Sequence, residues 1–355
     1  MKIGFYNYYN YYNNNKMFLT SESEIGDELS YPNFYLGKYL TNFGYEVETI
    51  DVGNINTYDI VIFFDLPKID DKLFSYLKSI NHKSLYLFIV ESPLIRKENW
   101  DPLNHIVFKK IFTWNDQLID SEKYFKFFLP NKLKSSFRIN NHRKFCTIIA
   151  GNKIIAKTSN ELYSARINTI RWFERYHPLE FDLYGFGWDN GEPRSLLKYI
   201  IQINNFTCKI YNNLLQYSFF NKILRFLNKS FPSYKGQINS KNVILQNYKF
   251  SICFENANKI PGYISEKIFD CFFAGTIPIY LGASNIHDFI PLNTFIDRRK
   301  YNSNEELYDF LKGMSENEYN SYLDAISIFL KSDSIKQFGA EIYASTILNE
   351  IILNQ

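Results

Sequence analysis

A group of polar side chains in the C-terminal half of the chain has the types and spacing needed to bind a nucleotide phosphate. Its members are Glu255, Asn256, Tyr263, Ser265, Glu266 and Lys267. Apolar residues recur at helical spacing from position 263, so the last members lie in the first turn of a predicted helix. The free N–H groups and partial positive charge of a helix N-terminus favour phosphate, and a lysine there adds a full charge. A neighbouring carboxylate suits ribose or sugar hydroxyls. The alternative is a capped helix whose Glu–Lys pair faces water.

The elements around this group are predicted as strand, loop, helix and strand. Residues 249–254 are a short apolar run rich in aromatic and β-branched side chains, which is typical of a buried strand. Pro261 and Gly262 close a polar loop, and Gly275 ends the helix. Residues 276–281 form a second β-rich run. The phosphate-binding group therefore lies between a strand and the helix that follows it.

The string CFENANKIPGYISEKIFDCFFAGTIPIYLG, residues 253–282, closely resembles the donor-binding signature of the α-1,3-fucosyltransferases, glycosyltransferase family 10. That signature runs F-E-N, a short Gly/Tyr loop, G-Y-[VIL]-[TS]-E-K, an apolar helix and then [TV]-[IV]-P-[IV]-Y-x-G. The match is long and ordered, which makes it far more specific than a lone glycine motif. The loop ANKIP is one residue longer than in some bacterial members. The resemblance therefore leaves the transferred sugar less defined than the phosphate site.

Strands that alternate with helices in the N-terminal half predict an α/β fold with a parallel sheet covered on both faces. The predicted strands are residues 2–6, 45–51, 59–64, 84–90 and 110–114, with helices at 34–43 and 69–80. The resemblance implies the GT-B fold, in which two Rossmann-like domains with parallel sheets face each other across a cleft. We expect an acceptor-binding domain at residues 1–140 and a nucleotide-sugar-binding domain at 141–330. A C-terminal helix at 331–355 is expected to cross back to the first domain.

Glu91 directly follows a buried apolar run, which places it at the carboxyl end of a strand, where ligands bind in such sheets. A transfer that inverts configuration needs one carboxylate to take the proton from the attacking hydroxyl group. Family 10 enzymes are thought to use a glutamate in this region, so the resemblance implies that Glu91 is the catalytic base. The structural alternative is that Glu91 caps the loop before Pro93. Asp65, at the equivalent place on a neighbouring strand, is the reserve candidate, and Asn115 is expected to line the acceptor cleft.

The resemblance also implies an arginine that contacts the diphosphate of the donor, and Arg166 is the candidate. Its planar, permanently charged guanidinium can bond two phosphate oxygens at once. Arg171 lies more than a turn further along the same predicted helix and suits the role less well. The alternative for Arg166 is a solvated helix charge. Lys235 lies in a Tyr-Lys-Gly triplet that resembles a further family element near the donor, so we expect it to contact phosphate or base.

The composition bears on other classes of function. A net charge of +3 does not indicate nucleic-acid binding. The four cysteines are scattered, with no C-x-x-C pair and no zinc-like spacing, which predicts free buried thiols in a reducing compartment. Because no D-x-D triad occurs, we expect no cofactor and no metal site, with a divalent ion at most stimulatory. The N-terminus resembles a strand rather than a signal peptide, and no apolar run reaches the roughly 20 residues of a spanning helix. We therefore expect a cytoplasmic enzyme.

Residues 193–233 form an unusual basic insertion with helical apolar spacing. No Asp or Glu occurs from Pro193 to Cys253, whereas lysines and arginines recur. A basic amphipathic helix is typical of a membrane-surface element, so we expect peripheral contact with anionic lipid at the inner membrane. The alternative is that its apolar face packs on the C-terminal domain. Flotation with anionic vesicles at low salt distinguishes the two.

Together with these observations, the resemblance implies an inverting, metal-independent glycosyltransferase that moves L-fucose from GDP-fucose to a hydroxyl group of a glycan acceptor. The resemblance implies an α-1,3 linkage to N-acetylglucosamine, in lipopolysaccharide or a similar surface glycan or glycosylated protein. Three alternatives stay open: a GT-B transferase with another nucleotide sugar, a non-catalytic nucleotide- or glycan-binding module, and a membrane-surface scaffold. Acceptor contacts are expected from variable N-terminal loops such as residues 6–16, which carry no readable code.

Overall fold

A computed structural model of the chain describes residues 1–21, 27–68, 72–79, 84–192, 201–202, 204–214, 217 and 230–353. The described residues build two α/β domains, each on its own sheet, and the strand pairs within both sheets are parallel. The predicted α/β class with two parallel sheets is confirmed. Because every strand of a sheet points the same way, all carboxyl ends meet at one edge, where functional loops collect.

The N-terminal sheet has the strand order β2-β1-β3-β4-β5-β6. Its strands are β1 (Lys2–Asn7), β2 (Glu46–Thr49), β3 (Ile60–Phe64), β4 (Leu85–Ile89), β5 (Lys110–Thr113) and β6 (Tyr124–Lys126). The central strands β3 and β4 are apolar at every position and fully buried, as expected for strands covered on both faces. The sequence analysis missed β6, because it is a short edge strand of half-buried residues without an apolar run.

The C-terminal sheet has the order β11-β10-β9-β7-β8. Its strands are β7 (Lys144–Ile149), β8 (Phe181–Tyr184), β9 (Tyr248–Phe254), β10 (Ile277–Leu281) and β11 (Ile296–Asp297). The four cysteines are free and buried, as predicted. Strands β9 and β10 pair in register from Phe250–Ile277 to Phe254–Leu281, so the predicted strand–loop–helix–strand unit lies at the centre of this sheet.

The described helices are α1 (Lys16–Leu19), α2 (Tyr31–Asn42), α3 (Lys72–Ser79), α4 (Tyr163–Tyr176), α5 (Asn205–Leu214), α6 (Lys241–Leu245), α7 (Glu266–Phe273), α8 (Asn304–Gly313), α9 (Glu316–Lys331) and α10 (Ala340–Ile347). None of them combines the length and apolar character that crossing a bilayer needs. Helix α7 begins later than the apolar spacing from position 263 indicated, because Ser265 is its N-cap and is extended. Most of the basic insertion at 193–233 lies outside the described residues, so membrane contact stays a prediction.

The C-terminal segment packs into the core of the N-terminal domain. Helix α10 lies on α2, and the ring of Tyr343 contacts Phe64 and Phe88 of the sheet. Where this segment reaches the N-terminal domain, it runs beside the chain around Asn131. Asn131 donates its N–H to Phe338 at 2.7 Å, and Ala340 donates back to the Asn131 carbonyl at 3.1 Å. The predicted single helix is instead a 3-10 segment, α10 and a π-helical turn at Leu348–Leu353.

Helix α10 offers a matched pair of isoleucines that tests this packing. Ile347 is fully buried in the N-terminal core, whereas Ile342 is 44% exposed. Ile347→Ala should lower the free energy of unfolding by about 2–5 kcal/mol, because a buried side chain is removed and a cavity remains. Ile342→Ala should cost less than about 1 kcal/mol. Urea unfolding followed by circular dichroism measures both, and equal losses would contradict the observed packing.

Candidate active site

Glu91 lies in a turn that a buried carboxylate holds at the carboxyl end of β4. Asp65 follows β3 with a left-handed backbone, φ 61°, and is buried. Its Oδ1 accepts the N–H groups of Val90 at 2.8 Å and Glu91 at 3.1 Å, and the Nδ2 group of Asn99 at 2.5 Å. Burial and the nearby Glu91 carboxylate raise the pKa of Asp65 to about 7. Asp65 therefore faces the backbone of the Glu91 turn rather than the cleft.

The side chain of Glu91 is half-buried and has a partner from the loop after β1. The Tyr9 phenol donates to its Oε1 at 2.5 Å, and the Glu91 carbonyl accepts from Trp100 Nε1 at 3.1 Å. Desolvation of its hydroxyl end and the charge of Glu91 raise the pKa of Tyr9, although 41% of the residue stays exposed, so the phenol stays a hydrogen-bond donor. This arrangement holds one carboxylate oxygen of Glu91 in a fixed position.

In the C-terminal domain, Glu255, Ser265 and Lys267 form one hydrogen-bonded cluster at the start of α7. Glu255 is fully buried, and its two oxygens accept the N–H of Ser265 at 2.8 Å and its hydroxyl at 2.6 Å. Lys267 Nζ lies 3.3 Å from Glu255 Oε2 and donates to Ser265 Oγ at 3.0 Å. Glu255 was expected to contact the donor. That contact stays a prediction; in the structure the carboxylate is fully buried and holds the helix cap and the lysine.

Lys267 and Glu266 are both charged at neutral pH. Burial alone lowers the pKa of Lys267, but Glu266 and Glu255 outweigh it and raise that pKa. Burial also opposes ionisation of Glu266, yet Lys267 and Lys241 hold its pKa at about 2. The Lys267 side chain keeps 23% of its surface exposed and lies at the N-terminus of α7. Its charge, at the positive end of the helix dipole, favours binding of an anion there.

Arg166 braces the carboxyl end of β9 from helix α4. Its buried Nη2 donates to the carbonyl oxygens of Phe254 at 2.7 Å and Glu255 at 2.6 Å, and to Asn256 Oδ1 at 3.0 Å. Arg166 is therefore no solvated helix charge, and Asn256 is held beside it. Arg171 pairs elsewhere, with Glu174 at 2.7 Å.

Lys235 lies apart from this cluster. It is exposed beside β8, and its Nζ is 3.4 Å from Asp182 Oδ1. Lys235 therefore lies beside the edge strand β8, two strands away from β9. The structure brings together the other predicted donor-site residues Arg166, Glu255, Asn256, Ser265, Glu266 and Lys267. Among the described residues, no three His, Cys, Asp or Glu side chains are grouped as metal ligands.

Tyr263 joins the two domains. Its ring is buried against Trp114 of the N-terminal domain, with centroids 4.5 Å apart. Trp114 in turn donates its Nε1 to the carbonyl of Val90, the residue before Glu91, at 2.9 Å. This chain of contacts connects the loop before α7 to the turn that carries Glu91. Donor binding by Tyr263 stays a prediction, and the structure shows that its ring packs between the two domains.

Polar contacts beside Tyr263 also connect the loop before α7 to the segment that follows β5. The Asp116 N–H donates to the carbonyl of Pro261 at 3.3 Å, and Asn285 Nδ2 donates to Asp116 Oδ2 at 2.8 Å. The N–H of Gly262 donates to Asn285 Oδ1 at 2.8 Å. Asn115 is buried and caps the next turn by accepting the Gln117 N–H at 3.1 Å, so it supports this contact.

The sequence analysis did not identify Tyr9, Trp114 or Lys241 as members of the site. Lys241 pairs with Asp270 at 2.7 Å and lies 3.5 Å from Glu266. These partners come from distant parts of the chain, and only Tyr9 carried a signal, as part of a Tyr/Asn loop directly after a strand.

Residues 201–330 match the model of the family described as Glycosyltransferase family 10 (fucosyltransferase) C-term. The chain is 38% identical over 90 residues to the α-(1,3)-fucosyltransferase FucT of Helicobacter pylori, which is 25% of this chain and 18% of that protein. It is 39% identical over 93 residues to human 4-galactosyl-N-acetylglucosaminide 3-α-L-fucosyltransferase 9, which is 24% of this chain and 26% of that protein. These matches span about a fifth to a quarter of the relatives' own lengths. The predicted family resemblance is confirmed.

Solved structures resemble the whole chain in fold. An α1,3-fucosyltransferase crystal structure covers 98% of this chain and 90% of its own, with a TM-score of 0.54 at 16% identity. An α-glucosyltransferase in complex with UDP covers 99% of this chain and 100% of its own, with a TM-score of 0.55 at 10% identity. At these identities the likeness concerns the fold alone, and it confirms the predicted GT-B arrangement.

Gly262 provides a test of the contact between the domains. Its φ is +80°, and a Cβ there would lie 2.1 Å from the backbone oxygen of Trp114. Gly262→Ala should lower the free energy of unfolding by about 1–3 kcal/mol, because the left-handed backbone is strained and the loop must move. Gly313→Ala is the matched control, since its Cβ would meet nothing within 4 Å. Equal stability of the two variants in urea unfolding would contradict a close contact at Gly262.

Asp65 predicts a specific pH dependence of stability. Its pKa is about 7 in the folded chain against 3.8 for the ordinary group, so the folded state binds this proton more tightly. The free energy of unfolding should therefore fall as the pH rises through this window, and then level off. Asp65→Asn keeps an oxygen acceptor and removes the titration, so its stability should depend less on pH than that of the wild type. The exposed Asp324→Asn is the control; a wild-type pH dependence retained in Asp65→Asn would refute the assignment.

Proposed function

We propose that this chain, whose C-terminal domain matches glycosyltransferase family 10, transfers L-fucose from GDP-fucose to a hydroxyl group of a glycan acceptor. The observation that carries the proposal is the partly exposed Lys267 at the N-terminus of α7, in a stretch that follows the family's donor signature. The half-buried carboxylate of Glu91, in the other domain, supplies the second group that the reaction needs.

The donor diphosphate binds at the start of α7. Charge develops on the leaving GDP as the sugar–phosphate bond breaks, and Lys267 together with the helix N-terminus stabilises it. An α1,3-fucosyltransferase that shares the fold has been crystallised with GDP. Arg166 and Glu255 act through other groups: they hold the end of β9 and the lysine in place. Because Lys267 and the helix N-terminus provide the positive charge, we propose that no metal is required and that added EDTA leaves the rate unchanged.

Glu91 is the proposed base of a single displacement. The acceptor oxygen forms a bond to C1 of fucose, the bond from C1 to the phosphate oxygen breaks, and the hydroxyl proton passes to the Glu91 carboxylate. GDP leaves as an anion and needs no acid. Attack from the face opposite GDP inverts the β-linked donor to an α-linked product. Asp65 and Tyr9 position Glu91 through its backbone N–H and its Oε1.

The acceptor is proposed by analogy with relatives. The human relative is named for transfer to a 4-galactosyl-N-acetylglucosaminide. An N-acetylglucosamine unit of lipopolysaccharide or a similar surface glycan, fucosylated through an α-1,3 linkage, is therefore the proposed acceptor. A cytoplasmic location with peripheral membrane contact through 193–233 belongs to the same proposal.

A GT-B transferase with another nucleotide sugar is the second candidate, because the α-glucosyltransferase neighbour shares the fold to the same extent. The donor choice of this chain rests on the C-terminal family match and not on the fold. Release of nucleoside diphosphate from a panel of donors distinguishes the two.

Glu91→Gln tests the enzyme against a binding module. With GDP-fucose and N-acetyllactosamine, the wild type should form a fucosylated product whose linkage is determined by NMR. Glu91→Gln should lower kcat by about 10²–10⁴-fold, because the base is lost, while GDP affinity is kept. The exposed Glu122→Gln should behave as the wild type. No transfer and no donor hydrolysis by the wild type would refute the proposed function.

A further inference from the structure

A carboxylate from the N-terminal domain caps a short helix of the C-terminal domain. Asp27 lies in the loop before α2, and its Oδ2 accepts the hydroxyl group of Ser240 at 3.0 Å and the N–H of Asn242 at 2.7 Å. Ser240 is the N-cap of α6, and Asn242 lies in its first turn. The loop belongs to the first domain, because the Glu28 carbonyl accepts the N–H of Tyr31 at the start of α2. Asp27 therefore ties the start of α6 to the N-terminal domain.

Helix α6 holds α7 at two points along its length. Lys241 Nζ donates to Asp270 Oδ2 at 2.7 Å and lies 3.5 Å from Glu266 Oε1. Asn242 Nδ2 donates to the carbonyl of Phe273, the last residue of α7, at 3.1 Å. Lys241 thus bridges two carboxylates that lie about one turn apart on the same helix. The position of α6 therefore sets the position of the Glu266 carboxylate.

Lys241 separates two like charges and leaves one of them available to a ligand. Glu266 and Asp270 are four residues apart on α7, where like charges repel each other. Burial raises the pKa of Asp270, and Lys241 opposes that shift by pairing with it. Lys267 approaches the same oxygen of Glu266, Oε1, at 3.8 Å. The Glu266 side chain is 32% exposed, so its carboxylate can still accept a hydrogen bond from a hydroxyl group.

These groups line one narrow crevice between the domains. Asp27, Lys241 and Glu266 share it with Asn131 and Lys132, from the segment that connects the two sheets. Its volume is about 30 Å³, roughly the space that one water molecule occupies in the liquid. The groups on its two sides therefore lie close together. A shift of the loop that carries Asp27 would move α6 and, with it, Glu266.

We propose that Asp27 and Lys241 are positioning residues of the donor site, through which the N-terminal domain controls the affinity for the nucleotide sugar. Asp27 fixes the start of α6, and Lys241 on α6 holds Glu266 where it accepts a hydroxyl group of the donor. This inference rests on the proposed function, since Glu266 is one of its predicted donor-binding residues. It goes further by giving a side chain of the opposite domain a role in donor binding.

The test compares Asp27→Ala and Lys241→Met with the wild type by calorimetric titration of GDP-fucose. Each variant should bind the donor about tenfold more weakly, because Glu266 is no longer held in place, and its kcat should change less than about threefold. Asp27→Asn, which keeps an acceptor oxygen, should bind like the wild type. The controls are Asp120→Ala, which removes a carboxylate that accepts backbone N–H groups elsewhere, and the exposed Lys336→Met. Both controls should bind the donor as the wild type does.

A Glu266→Gln background separates positioning from a general loss of structure. Glu266→Gln should itself weaken donor binding, and adding Asp27→Ala or Lys241→Met should then cost less than about twofold more, because effects that act through one residue are not additive. Full tenfold losses in that background would overturn the proposal. So would wild-type affinity in both single variants, or equal losses in Asp27→Asn and Asp27→Ala. Circular dichroism checks that each protein is folded, and Lys241→Gln replaces Lys241→Met if the latter is not.

Transfer assays on the same proteins distinguish this inference from the proposed function. Fucosyl transfer with the wild-type KM for GDP-fucose in both Asp27→Ala and Lys241→Met would overturn the positioning roles and leave the activity in place. Weaker GDP-fucose binding in these two variants, without any transfer by the wild type, would support the positioning roles and overturn the proposed function.

Discussion

The buried carboxylate of Glu255 is the constraint on which the donor side of the molecule depends. A fully buried carboxylate needs hydrogen-bond partners, and that of Glu255 accepts its observed side-chain and N–H bonds from Ser265 and Lys267. The Ser265 cap therefore fixes where the helix begins, and the same contacts hold Lys267 at its N-terminus. Arg166 secures the other end of this arrangement by binding the carbonyl oxygens of Phe254 and Glu255. Lys267, the proposed cation for the leaving group, is thus positioned by groups that are themselves buried in the protein.

Direct packing between the two domains joins the Lys267 side of the site to the Glu91 side. Tyr263 precedes α7 and lies against Trp114, and Trp114 binds the carbonyl beside Glu91. A displacement of the loop before α7 would therefore shift the turn that carries Glu91, the proposed base. The positive φ of Gly262 permits this close approach, since its Cα lies next to the Trp114 carbonyl.

Much of the fold could be predicted because its strands are short apolar runs: the residues that became β3, β4 and β9 were read directly from the sequence. The donor signature likewise located α7 and Lys267. The direction in which a loop side chain faces was not readable, so neither the full burial of Glu255 nor the contact of Tyr263 with Trp114 was predicted. Pairings between distant segments, such as Tyr9 with Glu91 or Lys241 with Glu266, depend on tertiary structure and leave no local pattern.

The return of α10 to the first domain determines the order in which the chain can fold. Domains usually fold from the N-terminus during synthesis, yet here the core around Phe64 and Phe88 needs Tyr343 and Ile347, which the ribosome adds more than 250 residues later. The second sheet, from Lys144 to Asp297, is complete before that. Contacts between such distant segments also carry a large loop-closure cost, which slows folding. The nascent first domain must therefore keep an apolar face uncovered until α10 has been synthesised.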